Sequence, residues 1–504
     1  MSDFNQFLKS IPHNFKPESE KLLQRAFEFA ENAHKGQKRK SGEDYFTHSK
    51  SAAQILGQIF PDPPTLAATL LHDVPEDTSV PFEKIKEEFG QEIAGLVDGV
   101  TQLGHVRMKS SEDKFYVENL RKLFIATSRD MRVILIKLAD RLHNMQTIKF
   151  LPAEKQVKVA KETLEIYSPI TSRLGIGAWK DELEDMAFKI VDPKEYDATK
   201  KLLETEMNKR TETIKLMQKG LEQVLRLEGI KFLEVSGRVK RIYSLYRKLE
   251  KYHGDMSRVY DIIALRLITR STADCYAALG AIHNYYQPMP GRIKDYISTP
   301  KPNGYQSLHT TVFNDKGQIF EIQIRTDLMH EEAERGIAAH WFYSEQEKQS
   351  RPKPLQSNWI KELRVWQDAE DSPEEFLESL KIDFFKDRIF VFTPKGDIKD
   401  LPAGASVIDF AFAVHTDLGY HMMGAKINGK MASIYDTLKK GDVVEIIKTK
   451  KPAAPSRDWL KAAQTHNARN RIRHYLAEHE KGLMDRIKEL KLEDISLKKF
   501  IRKK

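Results

Sequence analysis

The stretch Leu70–Thr78, LLHDVPEDT, ends an apolar run in one imidazole and three carboxylates. Charged groups at the edge of a core need partners, because an unpaired buried charge is costly. On a continuing helix His72 and Glu76 share a face, as do Asp73 and Asp77. His48 lies upstream in RKSGEDYFTHSKSAA, and Asp140 lies downstream in IKLADRLHNM, at the polar end of another apolar run. Two imidazoles and two carboxylates make a mixed nitrogen and oxygen ligand set. Carboxylates favour hard cations and imidazoles favour transition metals, so manganese or iron suits the set better than zinc. A cation held there lowers the pKa of its water and supplies a hydroxide nucleophile, leaving Glu76 and Asp77 to move protons. A single His-Asp pair reads as a capping or surface ion-pair feature; four candidate ligands together favour the metal. Arg39 and Lys40 suit a phosphate or a purine face, or else form a solvated basic run. Asn144 follows Asp140 by one helical turn.

A second constellation follows. FEIQIRT alternates Phe320, Ile322 and Ile324 with Glu321, Gln323 and Arg325, the polar face being solvent-exposed by default. YDIIALRLI is apolar on both faces except for Asp261 and Arg266. An aspartate opening a buried strand needs a counter-ion. If Asp261 and Glu321 lie on neighbouring strands, they can share a Mg²⁺ on a nucleotide phosphate. GRVKRIYSLYRKLEK supplies Arg238, Lys240, Arg241, Arg247, Lys248 and Lys251, as a triphosphate would require. Between them, PGRIKDYISTPKPNGYQSLHT carries Arg292, Lys294 and Lys301, with Tyr305 beside amides and His309. A tyrosine stacked on a base is one reading and a core tyrosine the other. No Walker-type glycine loop occurs, so side chains must hold any nucleotide.

These residues need several domains to position them. The chain has 504 residues, well past the roughly 250–300 at which single cores stop growing. With 40% apolar and 31% charged residues it has a globular composition. No run approaches a membrane span, and the N-terminus lacks a signal peptide's apolar core. Its one cysteine, Cys275, excludes internal disulfides and makes a reducing cytoplasm the simplest compartment. The net charge of +9 favours polyanionic partners. Spacing by three and four predicts helices throughout the first part, and DATKKLLETEMNKRTETIKLMQKGLEQVLRLEG a long polar helical connector. β-Branched runs then alternate with helices. The polar SEQEKQSRPKPLQSN reads as a linker, and a β-rich unit follows with a helix begun by Ser406 and a hairpin at Asn428-Gly429. The end is basic and helical.

The HD ligand set, together with SGRVKRIYSLYRKL, VYDIIALRLI, GRIKDYI…PNGYQSLHTTV, FEIQIRT and AERGIAAHW, resembles the long RelA/SpoT homologues of the bacterial stringent response. The motifs run in order from about residue 20 to 450. GASVIDFAFAVHTDLGY…GAKINGK resembles a TGS domain. The resemblance implies an all-α HD-type hydrolase domain over 1–195, a connector over 196–231, and an α+β, nucleotidyltransferase-like synthetase domain over 232–345. After a linker at 346–385 come a small β-grasp TGS domain over 386–450 and a basic helical tail over 451–504.

It also implies two opposed reactions, pyrophosphate transfer from ATP to the 3′-hydroxyl of GDP or GTP, and hydrolysis of the (p)ppGpp so formed. For synthesis, Asp261 would hold Mg²⁺ and Glu321 would assist the metal and deprotonate the hydroxyl. Arg238 would pack on adenine, and Lys240, Ser244 and Lys248 would clamp phosphates. Lys301, Asn303, Tyr305 and His309 would bind the guanosine nucleotide. For hydrolysis, His48, His72, Asp73 and Asp140 would bind Mn²⁺, Glu76 and Asp77 would act on water and leaving group, and Arg39, Lys40, Ser41, Asn144 and Thr147 would contact the nucleotide. The loop Arg292-Ile-Lys294-Asp295 is similar to that of bifunctional members. His415 would contact a tRNA 3′ end on the ribosome, or serve as a structural histidine. No membrane or DNA partner is expected. The alternative is a ribosome- and tRNA-binding stress sensor with one active catalytic half.

Two departures stand out. Pro75 replaces the family's usual Val or Ile and can stop or kink the helix before Glu76 and Asp77. GYHMMGAK replaces a commoner Gly-His-Arg-Cys-Ile-Gly. The chain stops at Lys504 where long relatives continue, so a shortened chain is expected.

Overall fold

A computed structural model describes residues 3–101, 124–127, 129–301, 303–339, 388–449 and 455–479. The linker expected at 346–385, most of the helix expected in VENLRKLFIATS and the last part of the tail lie outside them. The chain forms two compact units, Met1–Asp368 and Ala369–Lys504. Among the described residues no helix is long and apolar enough to cross a membrane.

The first unit begins with helices α1 (Asp3–Ser10), α2 (Pro17–Ala33), α3 (Phe46–Ile59), α4 (Pro63–Leu71), α5 (Val74–Asp77), α6 (Phe82–Thr101), α7 (Arg132–Gln146), α8 (Ala153–Glu162), α9 (Ser168–Arg173) and α10 (Gly177–Val191). Helix α4 is set by its ends. Asp62 accepts from the Thr65 amide at 3.0 Å, prolines fill the first turn, and every residue from Thr65 to Leu71 is buried. Pro75 has no N–H to offer the Leu71 carbonyl, and α4 stops at Leu71. The chain restarts as the single turn α5, with the Asp73 carbonyl accepting from the Asp77 amide at 2.9 Å. The continuous helix that would align His72 with Glu76 is therefore not formed; His72 and Asp73 sit at the joint.

The 35-residue α11 (Pro193–Leu227) leads into the sheet region. It is more than a connector, because Met217, Leu221 and Leu225 enter one core with Leu265, Ile322 and Ile324. That region comprises β1 (Phe232–Val239), α12 (Ile242–Lys251), β2 (Ile263–Thr269), α13 (Thr272–Tyr285), β3 (Gln287–Pro288), β4 (Lys294–Asp295), β5 (Leu308–Phe313), β6 (Ile319–Thr326) and α14 (Asp327–Arg335). The strand order is β1-β2-β6-β5-β3, with β4 on β5. β2 and β6 are parallel neighbours with Ala264 opposite Glu321, which brings Asp261 and Glu321 to one region of the sheet. The polar face of β6 departs from the expected exposure: Gln323 and Arg325 are buried, because side chains from β1 and α14 cover that face.

The helical and sheet regions of this unit touch backbone to backbone. Gly336, at φ +57°, lies so close to α9–α10 that a Cβ there would fall 2.1 Å from the Leu174 carbonyl oxygen. Asn303 donates to the Ser172 carbonyl at 3.0 Å, and Asp185 accepts from the Tyr243 amide at 2.9 Å in the first turn of α12.

The second unit holds β7 (Arg388–Phe392), β8 (Ile398–Pro402), α15 (Val407–Val414), α16 (Thr416–Tyr420), β9 (Met422–Ile427), β10 (Lys430–Ala432), β11 (Val444–Lys448) and α17 (Arg457–Ala462), then a helix over 466–479. Ser406 begins α15 in a capping box with Asp409, and Asn428 and Gly429 take left-handed conformations at the β9–β10 hairpin, both as expected. Fully buried Asp409 also accepts from the Gln464 and Thr465 amides at 3.0 and 2.8 Å and from the Thr465 hydroxyl at 2.9 Å. One carboxylate thus joins α15 to the start of the helix over 466–479, whose Ala468 and Ile472 enter the same core. Asp409→Ala leaves these donors buried without an acceptor and is expected to destabilise this unit by about 3–5 kcal/mol. Loss of hydrogen-exchange protection across 464–472 is the check.

Candidate active sites

The first site gathers where α3, the α4–α5 joint and α7 meet. His48 on α3, His72 at the joint and Asp140 on α7 are buried, and their ligand atoms all lie within 4.8 Å of one another. Asp73 lies beside this group, with carboxylate oxygens 3.1 Å from His72 Nε2 and 3.6 Å from His48 Nε2. The fit to a divalent cation is visible in His72. Its Nδ1 donates to the Thr69 carbonyl at 2.7 Å, which leaves Nε2 as a bare lone pair, and that atom is buried without a hydrogen-bond partner. His48 Nε2 points into the same space, 3.1 Å from Asp140 Oδ1. Burial alone would raise the Asp140 pKa, but Lys137 at 2.8 Å and the two imidazoles hold it well below the usual carboxylate range.

Around this set, Asn144 donates to Asp140 Oδ1 at 2.5 Å and accepts from Arg39 at 3.1 Å, so both predicted nucleotide contacts reach the centre. Burial pushes Glu76 up to about 7, with Lys137 opposing and Asp73 and Asp77 reinforcing, so it can hold a proton at neutral pH. Asp77 is exposed but held: Tyr45 donates to its carboxylate at 2.6 Å, and Gln37 donates to its carbonyl at 2.6 Å. Lys40 is exposed, Ser41 bonds Glu43 within its own loop, and Thr147 donates to the His143 carbonyl. These three are not drawn into the ligand set by any of those contacts. Sequence reasoning missed Lys137, His143 and Tyr45. Each lies three residues from a ligand, and that spacing was the available signal.

The second site lies on the polar face of β2 and β6. Asp261 accepts from Lys240 at 2.5 Å and from Lys248. Burial alone would raise its pKa, yet the two ammonium groups bring it down to about 2. Arg238 donates to Gln323 at 3.3 Å, and Gln323 donates to Glu321 at 2.9 Å. A cavity of about 90 Å³ is lined by Arg238, Lys240, Ser244, Asp261, Gln323 and, from α10, Asp181. Asp181 lies 3.8 and 3.9 Å from Arg238 and Arg241, a cross-region partner that no local motif announced.

Glu321 faces His309 at 3.4 Å, and the imidazole together with Gln323 outweighs burial to keep its pKa below the usual value. Tyr305 and His309 are hydrogen-bonded at 2.9 Å, and Tyr296 meets both rings edge-on. Lys301 lies 4.7 Å from the ring centres of Tyr296 and Tyr305, so the expected single ring is a cluster. Asn303 braces this loop through Ser172 and the Tyr305 amide. In the loop at 292–295, Lys294 stands opposite His309 across β4–β5, Arg292 lies over Tyr260, and Asp295 accepts from Tyr276. In the second unit, exposed His415 accepts from the Asp417 amide at 3.2 Å, a capping task for α16.

Residues 26–177 match the HD domain family, 237–348 the region found in RelA / SpoT proteins, and 389–448 the TGS domain. The chain is 44% identical over 476 residues to a GTP pyrophosphokinase of Streptomyces coelicolor, covering 91% of this chain and 56% of that protein. It is 43% identical over 482 residues to a guanosine-3′,5′-bis(diphosphate) 3′-pyrophosphohydrolase of Aquifex aeolicus, covering 94% and 68%. A protein of the same name from Haemophilus influenzae is 43% identical over 449 residues, covering 89% and 66%. The chain thus spans between about half and two thirds of the length of these curated relatives.

Proposed function

Since the chain belongs to the RelA/SpoT family, we propose that it both makes and removes the 3′-diphosphate of a guanosine nucleotide. Synthesis takes the terminal pyrophosphoryl group of ATP to the 3′-hydroxyl of GDP or GTP. Hydrolysis returns (p)ppGpp to GDP or GTP and pyrophosphate. One observation supports this reading: in one unit the ligand atoms of His48, His72 and Asp140 lie within 4.8 Å of one another, and a lysine-clamped aspartate opens the strand that neighbours Glu321.

For hydrolysis, His48, His72, Asp73 and Asp140 would hold Mn²⁺. Such an ion neutralises phosphate charge and acidifies water. Glu76, with its pKa near 7, serves as the proton carrier between water and the leaving group. Tyr45 aims Asp77, while Arg39 and Asn144, joined by Lys40, Ser41 and Thr147, face the nucleotide.

For synthesis, Asp261 and Glu321 would hold Mg²⁺. The 3′-oxygen attacks the β-phosphorus of ATP, the bond to the α–β bridging oxygen breaks, and AMP leaves. The hydroxyl proton passes to Glu321, which is ionised at neutral pH because His309 and Gln323 stabilise its charge. Lys240, Lys248 and Ser244 bind phosphate oxygens, Arg238 the adenine, and Lys301, Asn303, Tyr305 and His309 the guanosine nucleotide. Positioning and charge neutralisation supply most of the acceleration. The second unit, through His415 and the basic segment after residue 450, would meet tRNA on the ribosome.

The test is purified chain with ATP, labelled GDP and Mg²⁺, and separately with ppGpp and Mn²⁺. Production of ppGpp with AMP, then of GDP with pyrophosphate, is expected. One product alone would indicate a sensor with a single active half, and neither would reduce the chain to a binding protein.

A further inference from the structure

Resting on the reading of the first site as a Mn²⁺ centre, the geometry assigns His143 as the positioning residue that fixes which nitrogen of His48 meets the metal. His48 and His143 are both buried, 2% and 8% exposed, and their Nδ1 atoms lie 2.6 Å apart. One of these nitrogens must carry the proton and the other must accept it. If His143 were the donor, His48 would keep its own proton on Nε2, the atom facing Asp140 and Asp73. A protonated Nε2 is no ligand. For His48 to coordinate, its Nδ1 must donate and His143 Nδ1 must accept.

His72 shows the same device in unambiguous form. Its Nδ1 faces the Thr69 carbonyl, which can only accept, and its Nε2 is left free for the ion. The two ligand imidazoles are thus held by equivalent bonds, one to backbone and one to a second imidazole. Helix α7 makes this possible by carrying Asp140 and His143 three residues apart, so a single helix supplies a ligand and the orienter of another ligand. His143 acts through His48.

The test compares His143→Leu, which keeps much of the volume and has no acceptor, with His143→Asn, whose Oδ1 stands near the place of imidazole Nδ1. Mn²⁺ affinity is read from the electron paramagnetic resonance signal of unbound Mn²⁺, and folding from the thermal transition. His143→Leu is expected to bind Mn²⁺ about 10- to 100-fold more weakly, with hydrolysis recovering as Mn²⁺ is raised. His143→Asn is expected to stay within about threefold of the unaltered chain. Wild-type affinity in the Leu variant, or equal losses in both variants, would overturn the assignment. Should the Leu variant fail to fold, the Asn variant decides alone: near-normal affinity sustains the assignment, and a loss of about tenfold or more overturns it. Absence of Mn²⁺ binding by the unaltered chain would instead overturn the metal reading beneath it.

Discussion

Asp73→Asn is expected to lower release of pyrophosphate from ppGpp by about three orders of magnitude while synthesis from ATP and GDP continues. Asp73 approaches both imidazoles, its carboxylate oxygens lying 3.1 Å from His72 Nε2 and 3.6 Å from His48 Nε2. Asparagine keeps its volume at a position only partly buried, so packing changes little. It loses a full negative charge among ligands that must hold a dication. About 4 kcal/mol of lost transition-state stabilisation corresponds to roughly a thousandfold in rate. Pyrophosphate release with Mn²⁺ and AMP formation with Mg²⁺, assayed on one preparation, give the ratio. Hydrolysis at wild-type rate would remove Asp73 from the site, and parallel loss of both activities in a folded protein would end the two-site reading.

The mirror experiment is Glu321→Gln, expected to lower synthesis by about 10²–10⁴, the usual range for a lost general base, with hydrolysis unchanged. Glu321 sits mid-strand on β6, and the ladder to Ala264 and Thr311 is made by backbone, which the substitution leaves alone. What disappears is the charge that His309 and Gln323 stabilise, and with it the acceptor for the 3′-hydroxyl proton. The pH profile separates this from a packing defect. Glu321 has a depressed pKa, so synthesis in the unaltered chain should lose its base only below the ordinary glutamate range. The Gln variant should show no such acidic limb.

The candidate ligands of the first site could be picked out because imidazoles and carboxylates ending apolar helices have few other uses. Asp261 and Glu321 were legible because an acid opening a buried strand and a strict alternation both mark a sheet. The Asn428-Gly429 hairpin followed from the left-handed backbone that such turns require. Other features depend on contacts far apart in sequence, which local pattern does not encode. Alternation separates the two faces of β6 but does not say that the polar one is covered, so buried Arg325 was unforeseen. Proline announced the break, since its missing N–H leaves the Leu71 carbonyl without its helical partner, but not that the chain would restart as a turn over Val74–Asp77. Asp181, Asp185 and Asp409 reach across 50 residues or more to partners set by tertiary structure.

The contacts of Ser172, Leu174 and Asp185 have a bearing on how such a polypeptide can be dismantled. A protease nick at Asp192 followed by separation would free Asn303 from its carbonyl, deprive the Tyr243 amide of its acceptor and bare the groove that admits Gly336 only because it lacks a side chain. The helical and sheet regions are therefore not beads on a string. A lineage that kept only one of them would have to refashion the surface where its companion had leaned.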